Sequence, residues 1–251
     1  MRILLLSDIH ANYEALDACL NTAPPHDIVV NLGDIVGYGA SPNEVMEVCR
    51  SIGERFVRGN HDKAVATLAG IEDFNPVAAQ AVQWTRSHLT PENLAWLNAL
   101  PQGPLQLENL PGTQFAHGSP LDEDEYIVNT QEAEIPLKAA SCPLTFIGHT
   151  HIQGAFAYVE EAVKFEWPRY RIPGSSENVE LQLQGGARYL INPGSVGQPR
   201  DGDWRAAFAV YDSGAQVVTF CRTPYNVKAA QERILAAGLP PRLASRLSVG
   251  R

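Results

Sequence analysis

Three apolar runs near the start of the chain, each followed by polar residues, limit the fold more than any other feature. They lie within residues 2–8, 27–34 and 54–62, as RILLLSD, DIVVNLGD and ERFVRGNHD. Unbroken apolar runs of this kind are typical of parallel strands that are buried on both faces of a sheet. Helical segments lie between the runs. The alternation therefore predicts an α/β fold built in layers.

Helix start signals support this interpretation. Ser41, Pro42 and Glu44 match a capping box with proline at the first helical position. Residues 75–100 are predicted to form two helices, and residues 226–237 an amphipathic helix that closes the chain.

Beyond the first hundred residues the pattern changes to glycine, proline and short strands. A hairpin is expected to turn at Pro111 and Gly112, and residues 154–222 are expected to supply several strands in antiparallel style. The acidic segment 119–137 is a candidate lid. Because the sequence shows no repeat or linker, we expect a single domain over residues 1–251.

Composition excludes several classes of protein. A net charge of -9 provides no basic surface for a phosphate backbone, so no stable nucleic-acid complex is expected. No stretch approaches the ~18 apolar residues that would cross a bilayer. The four cysteines form no CxxC pair, and the N-terminal apolar run is too short for a signal peptide. These features predict reduced thiols and a cytoplasmic location.

Chemically active side chains follow the ends of the apolar runs. The set comprises Asp8, His10, Asp34, Asn60, His61, His117, His149 and His151. Any one of these alone would more often be a capping or hydrogen-bonding residue than a ligand, but five of the seven histidines fall in the set. In layered α/β folds the carboxyl ends of the strands share one edge, where ligands bind. We therefore expect these side chains to meet.

The spacing and type of these residues indicate a metal site. Asp8 with His10, and His149 with His151, would each share one side of an extended strand, because the strand period is two. Carboxylate, amide and imidazole ligands without thiolate suit manganese, iron, zinc or nickel. Seven such groups exceed the needs of one ion. They fit two ions about 3.5 to 4 Å apart that share a bridging carboxylate.

The motifs DIH, GD, GNHD, HGS and GHTH occur in this order over residues 8–151. In this order they resemble the calcineurin-like metallophosphoesterase family, and NPGSVGQPRDGD at 192–203 resembles its small bacterial and archaeal members. The resemblance implies two packed mixed β-sheets flanked by helices. It also implies hydrolysis of phosphodiester or small phosphomonoester bonds by a hydroxide that bridges two divalent transition metal ions, with manganese expected first and iron, zinc or nickel as alternatives.

The resemblance also implies a role for each residue. Asp8, His10 and His151 would hold the first metal, Asn60, His117 and His149 the second, and Asp34 would bridge them. His61 would face the substrate phosphate, where it stabilises charge or protonates the leaving oxygen, and Asp62 would orient His61.

Two alternatives remain open on these motifs. Phosphoprotein phosphatases of the superfamily carry GDxVDRG with a phosphate-binding arginine, whereas this chain has GDIVGYG. The missing arginine disfavours phosphoprotein and diadenosine polyphosphate substrates. A non-catalytic metal-binding scaffold is the other alternative. Arg200 is the candidate extra contact to a small phosphorylated substrate, although its Pro-Arg-Asp-Gly context also fits a solvent-facing hairpin turn.

Overall fold

Two six-stranded β-sheets form the framework of the structure, a computed structural model that describes residues 1–53 and 55–251. Sheet A contains, in spatial order, β3 (Arg55–Phe56), β2 (Ile28–Asn31), β1 (Arg2–Leu6), β11 (Ala206–Asp212), β12 (Val217–Thr223) and β9 (Glu177–Gln182). Sheet B contains β4 (Leu105–Gln106), β5 (Thr113–Phe115), β6 (Leu144–Phe146), β10 (Arg188–Asn192), β7 (Gly154–Val159) and β8 (Ala162–Glu166).

Eight α-helices are found in the described residues. They are α1 (Tyr13–Thr22), α2 (Pro42–Ile52), α3 (Asn60–Thr67), α4 (Pro76–His88), α5 (Pro91–Asn98), α6 (Thr130–Ala139), α7 (Val227–Ala236) and α8 (Pro241–Ser245). Two short 3-10 turns span Ile71–Asp73 and Arg246–Ser248. The two helices predicted over 75–100 and the one over 226–237 are confirmed as α4, α5 and α7. None of the described helices combines the length and apolarity that crossing a membrane requires.

Both sheets are mixed, as the family resemblance implies. In sheet A, β1 pairs in parallel with β2, and β2 with β3, while β1, β11, β12 and β9 pair antiparallel. In sheet B, β6 lies between β5 and β10 and is parallel to both, and the other pairs are antiparallel. The parallel strands of each sheet therefore end at a common edge.

The core explains the unbroken apolar run of β1. Ile3 and Leu5 point into the core between the sheets, which includes Phe146 of sheet B. Leu4 and Leu6 point the other way, into the core between sheet A and its helices. Successive side chains of a strand alternate between faces, so a strand covered on both sides requires apolar residues at every position.

The structure confirms the predicted hairpin but not the predicted capping box. The hairpin is confirmed, because β4 and β5 pair antiparallel through Leu105 and Phe115. The capping box at Ser41 is wrong: within the described chain its hydroxyl makes no cap to α2 and instead accepts a hydrogen bond from Arg233 Nη1 at 3.2 Å. The third apolar run forms only the two-residue strand β3, and Glu54 at its start lies outside the described residues.

Candidate metal centre

The candidate ligands lie just beyond the carboxyl ends of parallel strands from both sheets. Asp8 and His10 follow β1, Asp34 follows β2, Asn60 follows β3, His117 follows β5, and His149 and His151 follow β6. Almost all of their side chains are buried, with exposed fractions from 0% to 3% for every member except the half-buried Asn60. The edge shared by the two sheets thus gathers side chains that are far apart in sequence.

Six of these seven side chains form two groups with the geometry of metal sites. The first group contains Asp8, His10, Asp34 and His151, and the second contains Asp34, His117 and His149. Within each group the potential ligand atoms lie within 4.8 Å of one another. Asp34 belongs to both groups, so a single carboxylate joins them.

Short distances between electron-rich atoms define the first group. His151 Nε2 lies 3.2 Å from Asp8 Oδ1, and His10 Nε2 lies 3.6 Å from Asp34 Oδ2. The Nε2 atoms of His10 and His151 are 3.1 Å apart. Two imidazole nitrogens and two carboxylates therefore face one small volume.

The second group is built in the same way on the other side of Asp34. His117 Nε2 lies 3.4 Å from Asp34 Oδ2 and 3.1 Å from His149 Nδ1. Asn60 lines the same cavity as His149. Its Oδ1 atom is buried and has no hydrogen-bond donor among the described residues.

The tautomers of three histidines are set by the main chain. His10, His117 and His151 each have Nδ1 within hydrogen-bonding distance of a carbonyl oxygen. The acceptors are Val36, Leu32 and Gln198, at 3.1, 2.8 and 2.6 Å respectively. Because only a protonated Nδ1 can donate to a carbonyl, Nε2 is the nitrogen that each of these rings turns toward the cluster. This is the arrangement of metal-binding histidines.

Unsatisfied buried atoms show that a cation fits this site. Asp8 Oδ2 accepts hydrogen bonds from Ser7 Oγ at 2.6 Å and from the His149 main-chain nitrogen at 3.1 Å. Asp8 Oδ1 is buried and, like Asn60 Oδ1, has no donor within the described part of the chain. Buried acceptors without a donor are costly, and metal ions bound at the two groups would satisfy them.

The electrostatics of the cluster favour positive charge. Burial raises the pKa of Asp34, but His117 and His61 outweigh burial and hold that pKa well below its ordinary value. Burial lowers the pKa of His117, yet the Asp34 and Asp8 carboxylates outweigh it and raise the pKa to about 10. The carboxylates therefore stay ionised and attract a cation or a proton.

The backbone at the site differs from the extended form on which the spacing argument relied. Asp8, His10, His149 and His151 have φ values of 52°, 49°, 66° and 61°, in the left-handed region. Asp34 shares this conformation, with φ 54°. The expectation that the DxH and HxH pairs share one side of a strand is thus corrected. Left-handed turns aim these side chains, and strain of this kind is concentrated at functional sites.

The NPGSVG segment, residues 192–197, forms hydrogen bonds to the loops that carry the candidate ligands. Ser195 Oγ donates to the Asp8 carbonyl at 2.7 Å, and Asn192 Nδ2 donates to the Gly148 carbonyl at 2.7 Å. A Cβ atom at Gly197 would lie 1.9 Å from the carbonyl oxygen of Ile9, so only glycine fits there. These supporting residues were not predicted individually, although the motif was noted.

His61 lies against the cluster but outside both ligand groups. Its main-chain nitrogen donates to Asp34 Oδ1 at 2.8 Å, and its ring lies 4.9 Å from that of His10. Its Nδ1 is buried without a hydrogen-bond partner among the described residues. Burial lowers the pKa of His61 to about 4, so its imidazole is neutral near pH 7.

Asp62 does not contact the His61 side chain in the way that its predicted orienting role requires. Its carboxylate accepts hydrogen bonds from the main-chain nitrogens of Gly59 at 3.0 Å and Val36 at 3.2 Å. Adjacent residues of a helix point in different directions, and both residues belong to the first turn of α3. Asp62 holds the loops around the site rather than the imidazole. Burial and the Asp34 charge raise its pKa to about 7.

Arg200 lies beside the cluster and not in a solvent-facing turn. Its main-chain nitrogen donates to the His151 carbonyl at 3.2 Å, and its guanidinium carbon lies 5.9 Å from the centre of the Tyr38 ring. The Nε atom is buried and has no acceptor within the described residues. The structure thus places a half-buried cation next to the ligand loops.

Two tyrosines complete the site and were not predicted. Tyr38 packs on His61 with ring centres 4.3 Å apart, and Tyr126 packs on His149 at 3.8 Å. Both line a cavity of about 240 Å³ that also reaches Asn60. A signal for Tyr38 was its place in GDIVGYG, and Tyr126 lies in the candidate lid 119–137. Neither tyrosine is among the carboxylate, amide and imidazole donors expected for these metals, so the ligand pattern in the sequence did not indicate them.

A sandwich of two mixed sheets with a buried cluster of aspartates and histidines at its strand ends defines a metallophosphoesterase. The chain belongs to the calcineurin-like phosphoesterase superfamily, whose domain matches residues 1–215. The family and the cluster together indicate a phosphoester hydrolase that binds divalent metal.

Relatives support this assignment over the full chain. An uncharacterised protein of Methanocaldococcus jannaschii is 36% identical over 255 residues, covering 99% of this chain and 98% of the relative. The crystal structure of a metallophosphoesterase from Sphaerobacter thermophilus shares 39% identity and a TM-score of 0.83, covering 100% and 99% of the two chains. A hypothetical protein of Pyrococcus horikoshii, 20% identical with a TM-score of 0.78 and 100% and 98% coverage, shares the fold.

Proposed function

We propose that this protein is a dinuclear metal-dependent phosphoesterase that hydrolyses phosphodiester or small phosphomonoester bonds. The observation that carries the proposal is the position of Asp34, whose carboxylate is common to two groups of potential ligands. A shared carboxylate between two clusters of imidazole nitrogens is the donor set of a two-metal hydrolase.

Each ligand has a proposed place in the pair. Asp8, His10 and His151 would hold one ion, Asn60, His117 and His149 would hold the other, and Asp34 would contribute to both. Manganese is the ion we expect, with iron, zinc or nickel as alternatives, because the donors are oxygen and imidazole nitrogen without thiolate. When bound, the ions would supply positive charge that neutralises the phosphoryl oxygens and acidifies a water for in-line attack.

The residues around the ligands would bind the phosphoryl group, donate a proton and position the main chain. The His61 imidazole, with its unpartnered Nδ1, donates a hydrogen bond to the phosphoryl group or, in its protonated form, donates a proton to the leaving oxygen. Asp62 acts as a positioning residue, because its carboxylate fixes the main chain at Gly59 and Val36. Arg200 binds a phosphoryl oxygen through its guanidinium, whose buried Nε has no acceptor within the described residues, since a guanidinium matches phosphate geometry.

The segment 119–137 is proposed to cover the site. Tyr126 already lies on the ring of His149, and Glu123 ties the segment to Arg58 and Lys63 through ion pairs of 2.8 and 3.1 Å. A cover of this kind would exclude water while the substrate is bound. Because the site takes residues from both sheets, we also propose that residues 1–251 act as one domain.

The alternatives are supported less well. Tyr38 stands at the position of the arginine in the GDxVDRG motif, which disfavours phosphoprotein and diadenosine polyphosphate substrates. A scaffold role does not require His61 to be held neutral beside an open cavity of about 240 Å³. The substrate is proposed to be a small phosphorylated molecule. The four buried free cysteines support a reducing compartment, the cytoplasm.

The proposal is tested by the hydrolysis of bis(p-nitrophenyl) phosphate and p-nitrophenyl phosphate by purified protein with added manganese, together with the number of bound ions. We expect turnover of at least one ester, about two ions per chain, and loss of activity with a chelator that is restored by manganese. Protein that binds two ions and hydrolyses neither ester would favour the scaffold.

A further inference from the structure

Two arginines from distant parts of the chain lie on one tyrosine ring at the site. The guanidinium carbons of Arg200 and Arg246 are each 5.9 Å from the centre of the Tyr38 ring. Arg246 belongs to the last 3-10 turn of the described chain. The Tyr38 ring in turn lies 4.7 Å from that of His10, which places this pair of cations beside the ligand cluster.

Neither guanidinium forms an ion pair with an aspartate or glutamate side chain within the described residues. Arg200 Nη2 donates to the Gln198 amide oxygen at 3.1 Å, and Arg246 Nε donates to the main-chain oxygen of Arg251. By contrast, the buried Arg205 and Arg222 both form ion pairs with aspartates. In a chain with a net charge of -9, two half-buried arginines held together without such a partner are unusual.

Holding two like charges together costs free energy, which a bound anion would recover. Burial and the nearby charge of Arg200 lower the pKa of Arg246 to about 10. Both arginines lie against Tyr38, which lines the cavity of about 240 Å³, whereas Asp73 and Asp124 line the same cavity elsewhere, with Asp124 paired to Lys63 at 2.5 Å. An anionic group on the substrate would therefore lie on the tyrosine and arginine side.

We propose that Arg246 binds a second phosphate group of the substrate, beyond the one that is hydrolysed. This inference rests on the proposed function, since it assumes that Arg200 contacts the phosphoryl group at the metal centre. It narrows the substrate class to phosphate esters whose organic part carries another phosphate. A guanidinium held against an aromatic ring presents its donors in a plane that matches phosphate.

A matched pair of chromogenic esters tests this inference. The p-nitrophenyl ester of thymidine 5'-phosphate is compared with the same ester carrying a 3'-phosphate, both with manganese-loaded protein. We expect the added phosphate to raise kcat/KM by about 10-fold, mainly through a lower KM, as a charge-assisted hydrogen bond would. In Arg246→Gln the ratio of the two kcat/KM values should fall to within about twofold of one. Arg246→Lys, which keeps charge but loses the planar fork, should give an intermediate ratio.

The control is Lys228→Gln, which removes one positive charge from an exposed position of α7. It should keep the wild-type ratio, and circular dichroism should show that all variants are folded. Hydrolysis of both esters with equal kcat/KM, or a preference that survives Arg246→Gln, would overturn the inference and leave the proposed function intact. If neither of these esters is hydrolysed, and bis(p-nitrophenyl) phosphate and p-nitrophenyl phosphate are not hydrolysed either, the proposed function fails instead. Calorimetric binding of thymidine 3',5'-bisphosphate and thymidine 5'-phosphate then decides the role of Arg246, because equal affinities would contradict it.

Discussion

His149 and His151 reach different halves of one site although a single residue separates them. His149 Nδ1 lies 3.1 Å from His117 Nε2, whereas His151 Nε2 lies 3.1 Å from His10 Nε2. The left-handed backbone at both histidines produces this divergence. One short loop after β6 therefore contributes to both ligand groups, and Asp34 joins the groups from the opposite sheet.

Replacing the shared carboxylate should disable both metal positions. In Asp34→Asn we expect metal content to fall below one ion per chain and kcat/KM to fall more than ~100-fold, because the bridging charge is lost. Inductively coupled plasma mass spectrometry and the p-nitrophenyl assays measure these effects. Asp17→Asn, an exposed change on α1, is the matched control and should alter neither. Two tightly bound ions in Asp34→Asn would contradict the bridging role.

Removing the His61 imidazole should separate metal binding from turnover. His61→Ala is expected to keep both ions and to lose about 10²- to 10⁴-fold in kcat, because the side chain lies beside the ligands and not among them. Metal analysis and steady-state kinetics on the same preparations check this. His26→Ala, at an exposed position, serves as the control. Loss of metal in parallel with activity would show that His61 has been misassigned.

Adding a methyl group at position 197 should destabilise the packing of the loops that carry the candidate ligands. In Gly197→Ala the new Cβ would lie 1.9 Å from the Ile9 carbonyl oxygen, so the loops must separate, and we expect the free energy of unfolding to fall by about 1–3 kcal/mol or more. Gly185→Ala is the matched control, because a Cβ there meets nothing within 4 Å. Urea unfolding of metal-free protein compares the two. Equal stabilities would refute this role of the glycine.

The attachment of the 119–137 segment should depend on pH. Burial raises the pKa of Glu123, but hydrogen bonds from Arg58 and Lys63 outweigh burial and lower it below the ordinary value of 4.5. Because the folded-state pKa is the lower one, the stabilisation is complete above about pH 4.5 and is lost as pH falls through the folded-state pKa. Asp124, the other carboxylate on Lys63, shares in this network.

Glu123→Gln isolates the effect. We expect it to cost about 1–3 kcal/mol near pH 7 and progressively less as pH falls toward 3. Urea unfolding of the wild type and the variant across this range provides the measurement. Glu125→Gln removes a nearby carboxylate that makes no ion pair within the described residues, and it should show no such trend. A constant difference between wild type and Glu123→Gln at every pH would rule out the ion pairs as the cause.

The sequence predicted where the ligands would gather because that information is local. The run of β1 is apolar at every position, so it had to be a strand covered on both faces, and the polar residues after it had to lie at a sheet edge. The same reasoning applied to β2, β5 and β6 placed Asp34, His117 and His149 at the edge, and the family resemblance supplied the packing of the two sheets.

Other features of the site depend on contacts that no local pattern records. Asp62 binds the main chain of Gly59 and Val36, and the partner of Ser41 is Arg233, almost two hundred positions away. The position of Arg246 beside Tyr38 arises only when the chain end returns to the sheet edge. Tertiary hydrogen bonds of this kind override capping and spacing rules, which describe a segment in isolation.

The division of the ligands between sheets A and B has a mechanical consequence. An ion bound by Asp34 of sheet A and His117 of sheet B would connect the two layers, because the candidate donors are divided between the sheets. Metal binding and the packing of the two sheets would then be thermodynamically linked. Removal of the metal would therefore lower the free energy of unfolding as well as abolish the activity.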